Sequence, residues 1–77
     1  MSSYKSLGNL IMNLREKGAA LTHEDLKVMQ VWQEKEYKPD ELAALLVKIY
    51  DDFKTAKKPF PRDLKRIDRM IQEMLLL

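Results

Sequence analysis

The spacing of apolar residues along this chain predicts four amphipathic helices. In each segment the apolar side chains recur three and four positions apart, which places them on one stripe of a helix. The first helix is predicted from about Tyr4 to Lys17, and Gly18 then supplies a left-handed stop. Its stripe consists of Leu7, Leu10, Ile11 and Leu14.

The second and third helices have clear start signals. Thr22 can cap the second helix by accepting from the amide of Asp25, whose carboxylate reaches back in an acidic form of the capping box. Pro39 suits the first position of the third helix, which we expect to lie at the centre of the core. The second stripe consists of Leu26, Met29 and Trp32, and the third of Leu42, Leu45, Leu46, Ile49, Tyr50 and Phe53.

A connection with two prolines separates the third helix from a fourth. Pro59 and Pro61 prevent a continuous helix, and we expect Phe60 between them to pack against the core. The fourth helix is predicted from about Arg62. Its stripe consists of Leu64, Ile67, Met70, Ile71 and Met74. Because no segment alternates like a strand, the predicted fold class is all-α, with residues 1–77 forming a small single-domain bundle of about four short helices.

The length and composition argue against several classes of protein. A chain of 77 residues gains only about 3 to 5 kcal/mol from one core, which argues against a large enclosed active site and hence against an enzyme. The absence of cysteine excludes disulfides and suits a reducing, cytoplasmic location. The longest apolar run, Leu42 to Val47, is too short to cross a bilayer, so we expect no membrane association.

Positive charge is concentrated near the C-terminus. The net charge is only +2, but residues 54–69 carry seven Lys and Arg against two Asp, a local charge of +5. Four of these cations share one face if the fourth helix begins at Arg62, and such a ridge attracts polyanions. The predicted nucleic-acid-binding residues are Lys57, Lys58, Arg62, Lys65, Arg66 and Arg69.

The alternative interpretation is that these cations are merely the solvated face of an amphipathic helix. Like charges at Arg62 and Arg66, and again at Lys65 and Arg69, are four positions apart and repel each other. A helix selected for stability alone would have mixed the signs, which favours the binding interpretation.

No other group of residues indicates chemistry. The consecutive side chains of His23, Glu24 and Asp25 point in different directions, so they cannot close on a metal ion. The neighbouring acids Asp51 and Asp52 do not face each other across a cleft, as general acid–base work requires. One histidine and two distant glycines support neither a nucleophile with its base nor a phosphate loop. We therefore predict no catalytic, cofactor-binding or metal-binding residue.

The aromatic residues are assigned mainly to packing. Trp32, Tyr50 and Phe53 lie on apolar stripes, where core packing is the better interpretation than base stacking. Tyr37, at a helix end beside Lys38, is the aromatic residue that we expect to be exposed.

From Leu21 onward the chain resembles the C-terminal helical domain of the DnaD and DnaB-type primosome proteins of Gram-positive bacteria and their phages. The shared features are a Leu-Thr opening with acids, a Trp in the next helix, a Tyr-x-Pro-Asp/Glu entry to a long helix, and a basic bend with an aromatic residue. They correspond here to Leu21–Leu26, Trp32, Tyr37–Leu42 and Lys57–Phe60. The segment Ile67–Met74 is similar to the family's closing Ile-Asp-Arg-Ile-Leu stretch.

This resemblance implies a helical module of replication initiation that binds single- or double-stranded DNA and contacts the replicative helicase machinery. The family has an aromatic residue and a Trp where this chain has Arg66 and Met74. The resemblance therefore implies contacts to the phosphate backbone for the basic residues Lys65, Arg66 and Arg69 alone. A chain of this kind is expected to be a stand-alone or phage-borne module.

Two hypotheses for function follow. In the first, the chain binds nucleic acid without sequence specificity through the basic residues. In the second, it is an adaptor or inhibitor in which the same basic face and the apolar C-terminus bind an acidic protein surface. The apolar end at Leu75–Leu77 predicts either that the last helix docks deeply against the bundle or that it meets a second chain, and self-association into a homo-oligomer is the favoured alternative.

Overall fold

The computed structural model describes residues 4–15 and 19–76, and these residues fold into four helices without a strand. The helices are α1 (Tyr4–Leu14), α2 (His23–Glu34), α3 (Pro39–Thr55) and α4 (Leu64–Leu76). The all-α prediction and the number of helices are thus confirmed. The predicted left-handed stop at Gly18 lies outside the described residues.

The helices pack around one hydrophobic core. Helix α3 packs against α1 and α4, and α4 also packs against α2, so α3 and α4 share the central position. The buried apolar residues come from all four helices. They are Leu7, Ile11, Val28, Met29, Trp32, Leu42, Leu46, Ile49, Leu64, Ile67 and Ile71. Phe60 packs against this core from the connection between α3 and α4, as predicted.

The predicted stripes are confirmed in α1, α3 and α4, and partly wrong in α2. Leu26 is 51% exposed, whereas Val28 is buried in its place. The stripe of α2 that faces the core runs through Asp25, Val28, Met29 and Trp32, which are separated by three, one and three positions. This stripe begins with an acidic residue, and a search for apolar residues alone does not include it.

The start of α2 has the predicted capping box. The Thr22 hydroxyl accepts from the Asp25 amide at 3.2 Å, and the Asp25 carboxylate accepts from the Thr22 amide at 2.8 Å. These bonds satisfy donors that the first turn of a helix leaves without a partner.

Asp25 also forms a buried ion pair with Arg15. The two guanidinium nitrogens Nη1 and Nη2 donate to the two carboxylate oxygens at 2.7 and 2.8 Å. Nη2 donates further to the Arg62 carbonyl at 3.0 Å, and Nη1 to the Ala20 carbonyl at 3.4 Å. Arg15 therefore joins the end of α1, the start of α2 and the segment that leads into α4.

Burial disfavours the charged form of Asp25, but the hydrogen bonds from Arg15 and Thr22 outweigh it. The net effect holds the pKa of the Asp25 carboxyl below its ordinary value. Both partners of the ion pair are almost fully buried, at 5% and 2% exposure.

A second polar network connects α2, α4 and the turn after α2. The Trp32 indole Nε1 donates to the Asp68 carboxylate at 2.6 Å, and Gln72 Nε2 donates to the same oxygen at 3.2 Å. The Tyr37 hydroxyl donates to Gln72 Oε1 at 3.1 Å, and the Tyr4 hydroxyl donates to the Tyr37 carbonyl. Tyr37 is consequently half-buried, and the prediction that it is exposed was wrong.

The ends of α2 and α3 have the same backbone pattern. Glu36 and Lys57 have φ of 61° and 58°, in the left-handed region. The amide of the next residue in each case, Tyr37 or Lys58, reaches back to the carbonyl five positions earlier, at 3.1 and 2.9 Å. This is the Schellman arrangement, in which glycine is the usual left-handed residue.

Candidate nucleic-acid interface

The six residues predicted to bind nucleic acid are Lys57, Lys58, Arg62, Lys65, Arg66 and Arg69, here called the basic set. All six are exposed. They lie on the outer face of α4 and in the connection that precedes it. Within the described residues, Lys65 is the member of the set that pairs with an acid.

Arg62 does not lie on helix α4, contrary to the prediction. The helix begins at Leu64 because Asp63 takes the capping position, where its carboxylate accepts from the Lys65 amide at 3.0 Å. The predicted helical repulsion between Arg62 and Arg66 therefore does not apply. Arg62 is instead fixed through its carbonyl, which accepts from Arg15.

Lys65 lies on the side of α4 that faces α2. Its ammonium group is 2.9 Å from Oε2 of Glu24, and the other carboxylate oxygen, Oε1, is 4.0 Å from the ammonium group of Lys27. The hydrogen bond with Lys65 lowers the pKa of Glu24, and the same bond raises the pKa of Lys65. Both side chains remain more than half exposed, so solvent screens the pair.

Arg66 lies at the other edge of the outer face of α4, towards α3. Its guanidinium carbon is 5.8 Å from the centre of the Phe53 ring, a distance typical of a cation–π contact. Arg66 and Lys58 line one shallow groove together with Phe53 and the acid Asp52. The fold thus brings Lys58 and Arg66 together and places Lys65 at the edge of the outer face that is nearer α2.

Arg69 is one turn further along α4 and shares the helix face of Lys65 and Arg66. It makes no ion pair within the part of the chain that the structure describes. Lys57 occupies the left-handed position at the end of α3. The outer face of α4 therefore presents a band of positive charge that is bounded on the α2 side by Glu24.

A group of aromatic side chains lies beside the basic set, and the sequence analysis did not identify it. The Phe60 ring centre is 5.7 Å from that of Tyr50 and 6.4 Å from that of Phe53. These residues line a groove of about 240 Å³ together with Lys54 and Lys58, here called the aromatic groove. Tyr50 and Phe53 were assigned to packing because they lie on the stripe of α3. Phe53 does pack against the core, but both side chains are only half-buried.

Residues considered for other chemistry do not converge. His23, Asp51 and Asp52 are exposed. Among residues 4–15 and 19–76, no group of three or more potential ligands could hold a metal ion. The helices of this part of the chain include none that is long and apolar enough to cross a membrane.

Comparison of the chain with family models, with curated proteins and with solved structures found no match. The resemblance to the primosome proteins therefore remains a prediction from the sequence.

Proposed function

We propose that this chain is a small helical module that binds nucleic acid without sequence specificity, and that it acts in replication initiation. The basic set supports this proposal. Five of its six members are exposed cations without an acidic partner among the described residues. Concentrated positive charge of this kind neutralises phosphates and releases the counterions bound to them. The assignment to replication rests on the sequence resemblance alone.

The proposal is tested by titrating labelled single-stranded and double-stranded oligonucleotides across a range of salt concentrations. We expect binding at low salt and a steep loss of affinity as salt rises. Each phosphate contact that is removed should lower the log–log salt slope by about 0.7 to 0.9.

The informative variant is Arg62→Glu with Arg69→Glu, because neither side chain has an ion pair that the substitution would break. A matched control is Lys5→Glu with Lys38→Glu, which changes the net charge equally at two exposed cations outside the basic set. The proposal requires that the first variant lose much more affinity than the second. Equal losses, or no binding at low salt, would reject it.

A second candidate function is an adaptor or inhibitor that binds an acidic protein surface. The observation in its favour is the apolar end of α4, where Leu75 is 46% and Leu76 is 86% exposed. Affinity capture from a host lysate after nuclease treatment separates the two functions. A protein partner should still be captured after that treatment. If the double variant Leu75→Gln with Leu76→Gln no longer captured this partner, the result would support this candidate.

A further inference from the structure

The aromatic groove combines aromatic walls with positive charge. Its walls include the half-buried rings of Tyr50, Phe53 and Phe60. Lys54 and Lys58 also line it, and both are exposed and without an ion pair among the described residues. The rings favour a flat apolar group, and the lysines favour negative charge. The groove is therefore complementary to an aromatic group that carries an anion.

The groove is continuous with the basic set. Phe53 and Lys58 line both the aromatic groove and the shallow groove beside Arg66. A phosphate at Arg66 or Lys58 would consequently lie next to the aromatic walls. A nucleotide has this composition, since it joins a flat base to a phosphate.

The base that enters such a groove must be unpaired. In a duplex both faces of a base are covered by its stacked neighbours, whereas a single strand can turn a base outward onto an aromatic side chain.

We infer that the aromatic groove binds one unpaired base of a nucleic-acid strand whose phosphates contact Lys54, Lys58 and Arg66. The inference rests on the proposed function and adds to it a preference for single strands over duplexes. Stacking also holds one base at a fixed position, whereas contacts to phosphates alone would let the strand slide along the surface.

The experiment compares three oligonucleotides of equal length: a single strand, its duplex, and a strand of abasic sugar phosphates. All three carry phosphates, but the intact single strand alone offers unpaired bases. At low salt we expect the intact single strand to bind about 5-fold more tightly than either of the others, which is the lower limit for one stacked base. A 2-aminopurine in the single strand should be quenched on binding.

The variant Tyr50→Leu keeps an apolar side chain but removes the ring, and Tyr50→Phe is its matched control. Tyr50→Leu should abolish the difference between intact and abasic strands, and Tyr50→Phe should retain it. Thermal unfolding of both variants checks that they fold. Because the abasic comparison uses the unaltered protein, it tests the inference even if a variant unfolds.

The outcomes separate this inference from the proposed function. Equal affinity for intact and abasic strands would overturn the stacked base and leave phosphate binding in place. No binding to any of the three at low salt would overturn both. If an acidic peptide with an aromatic residue bound instead, and Tyr50→Leu abolished that binding, the groove would belong to a protein partner and the inference would fail.

Discussion

Arg15 and Asp25 are the residues whose environment departs furthest from what their type suggests. Each is charged and almost fully buried, and together they form a bidentate ion pair with two hydrogen bonds. Removing a charge from water costs several kcal/mol, which the partner and further hydrogen bonds must offset. The Arg15 Nε atom has no partner within the described residues, so the offset is incomplete. The pair therefore specifies how the helices meet more than it adds to net stability.

Asp25→Leu should be strongly destabilising, because it leaves the Arg15 guanidinium buried without a counter-charge. We expect a loss of about 3 kcal/mol or more in the free energy of unfolding. The double variant Arg15→Met with Asp25→Leu should be less destabilised than Asp25→Leu alone. Urea unfolding followed by circular dichroism measures both, and a double variant that is the less stable of the two would contradict this account.

The ion pair also makes the fold sensitive to acid. The pKa of Asp25 is lower in the folded chain than its ordinary value of 3.8, so the unfolded chain binds more protons in acid. The stabilisation is complete above about pH 5 and is lost as the pH falls through the lowered pKa. The urea midpoint should be steady from neutral pH to about pH 5 and should decrease below about pH 4. The double variant should show a smaller decrease.

Helix α4 is oriented by polar contacts as well as by its apolar stripe. Asp68 accepts from the buried Trp32 indole at 2.6 Å, and Gln72 connects the same helix to Tyr37. The Trp32 ring is completely buried. These directional bonds fix the rotation of α4, and thereby which of its cations face outward.

Asp68→Ala should destabilise the fold by about 1 to 3 kcal/mol, because it leaves the buried Trp32 N–H without an acceptor. Asp68→Asn keeps an acceptor and should cost less. Asp51→Ala removes an acid from an exposed site and serves as the control. It should change the free energy of unfolding by no more than about 0.5 kcal/mol. Chemical unfolding monitored by Trp32 fluorescence compares the three. Equal losses in Asp68→Ala and Asp51→Ala would show that the contact contributes nothing.

The sequence predicted the helices because their apolar residues follow the helical period, but it concealed the polar contacts within the core. Arg15 follows Ile11 by four positions and Asp25 precedes Val28 by three, so both lie on their stripes. Asp25 was interpreted as part of the capping box, and Arg15 was not considered as a core residue. The contacts of Tyr37 with Gln72 and of Trp32 with Asp68 join residues more than 30 positions apart, which no local pattern indicates. The aromatic groove was missed for a different reason: its rings are close in sequence, but they come from α3 and from the connection after it, which the helical period does not relate.

On the scale of the whole molecule, positive charge is gathered at one surface, and Glu24 limits it on the α2 side. Glu24 pairs with Lys65 at 2.9 Å across the junction of α2 and α4. Because the pair is exposed, it contributes little to stability. Its effect on a polyanion is larger, since Glu24 both occupies Lys65 and repels phosphates nearby.

Glu24→Gln should therefore strengthen nucleic-acid binding while leaving stability nearly unchanged. Lys65 becomes available to a phosphate, so the salt slope should become steeper by about 0.7 to 0.9. Glu34→Gln changes the net charge equally at another exposed acid of α2 and should have a smaller effect. Titrations at several salt concentrations measure both variants, and identical slopes would place Lys65 outside the interface.

In the turn after α3, the residue at position 57 affects both the stability of the fold and the binding of phosphate, in opposite directions. Lys57 adopts a left-handed φ of 58°, where glycine would be more stable, and Glu36 does the same after α2. Glycine at either position should relieve the same backbone strain and raise the melting temperature. Glycine at position 57 alone would also remove a cation that we expect to contact phosphate. Lys57→Gly should thus raise the melting temperature and weaken nucleic-acid binding. Glu36→Gly should raise the melting temperature without weakening binding.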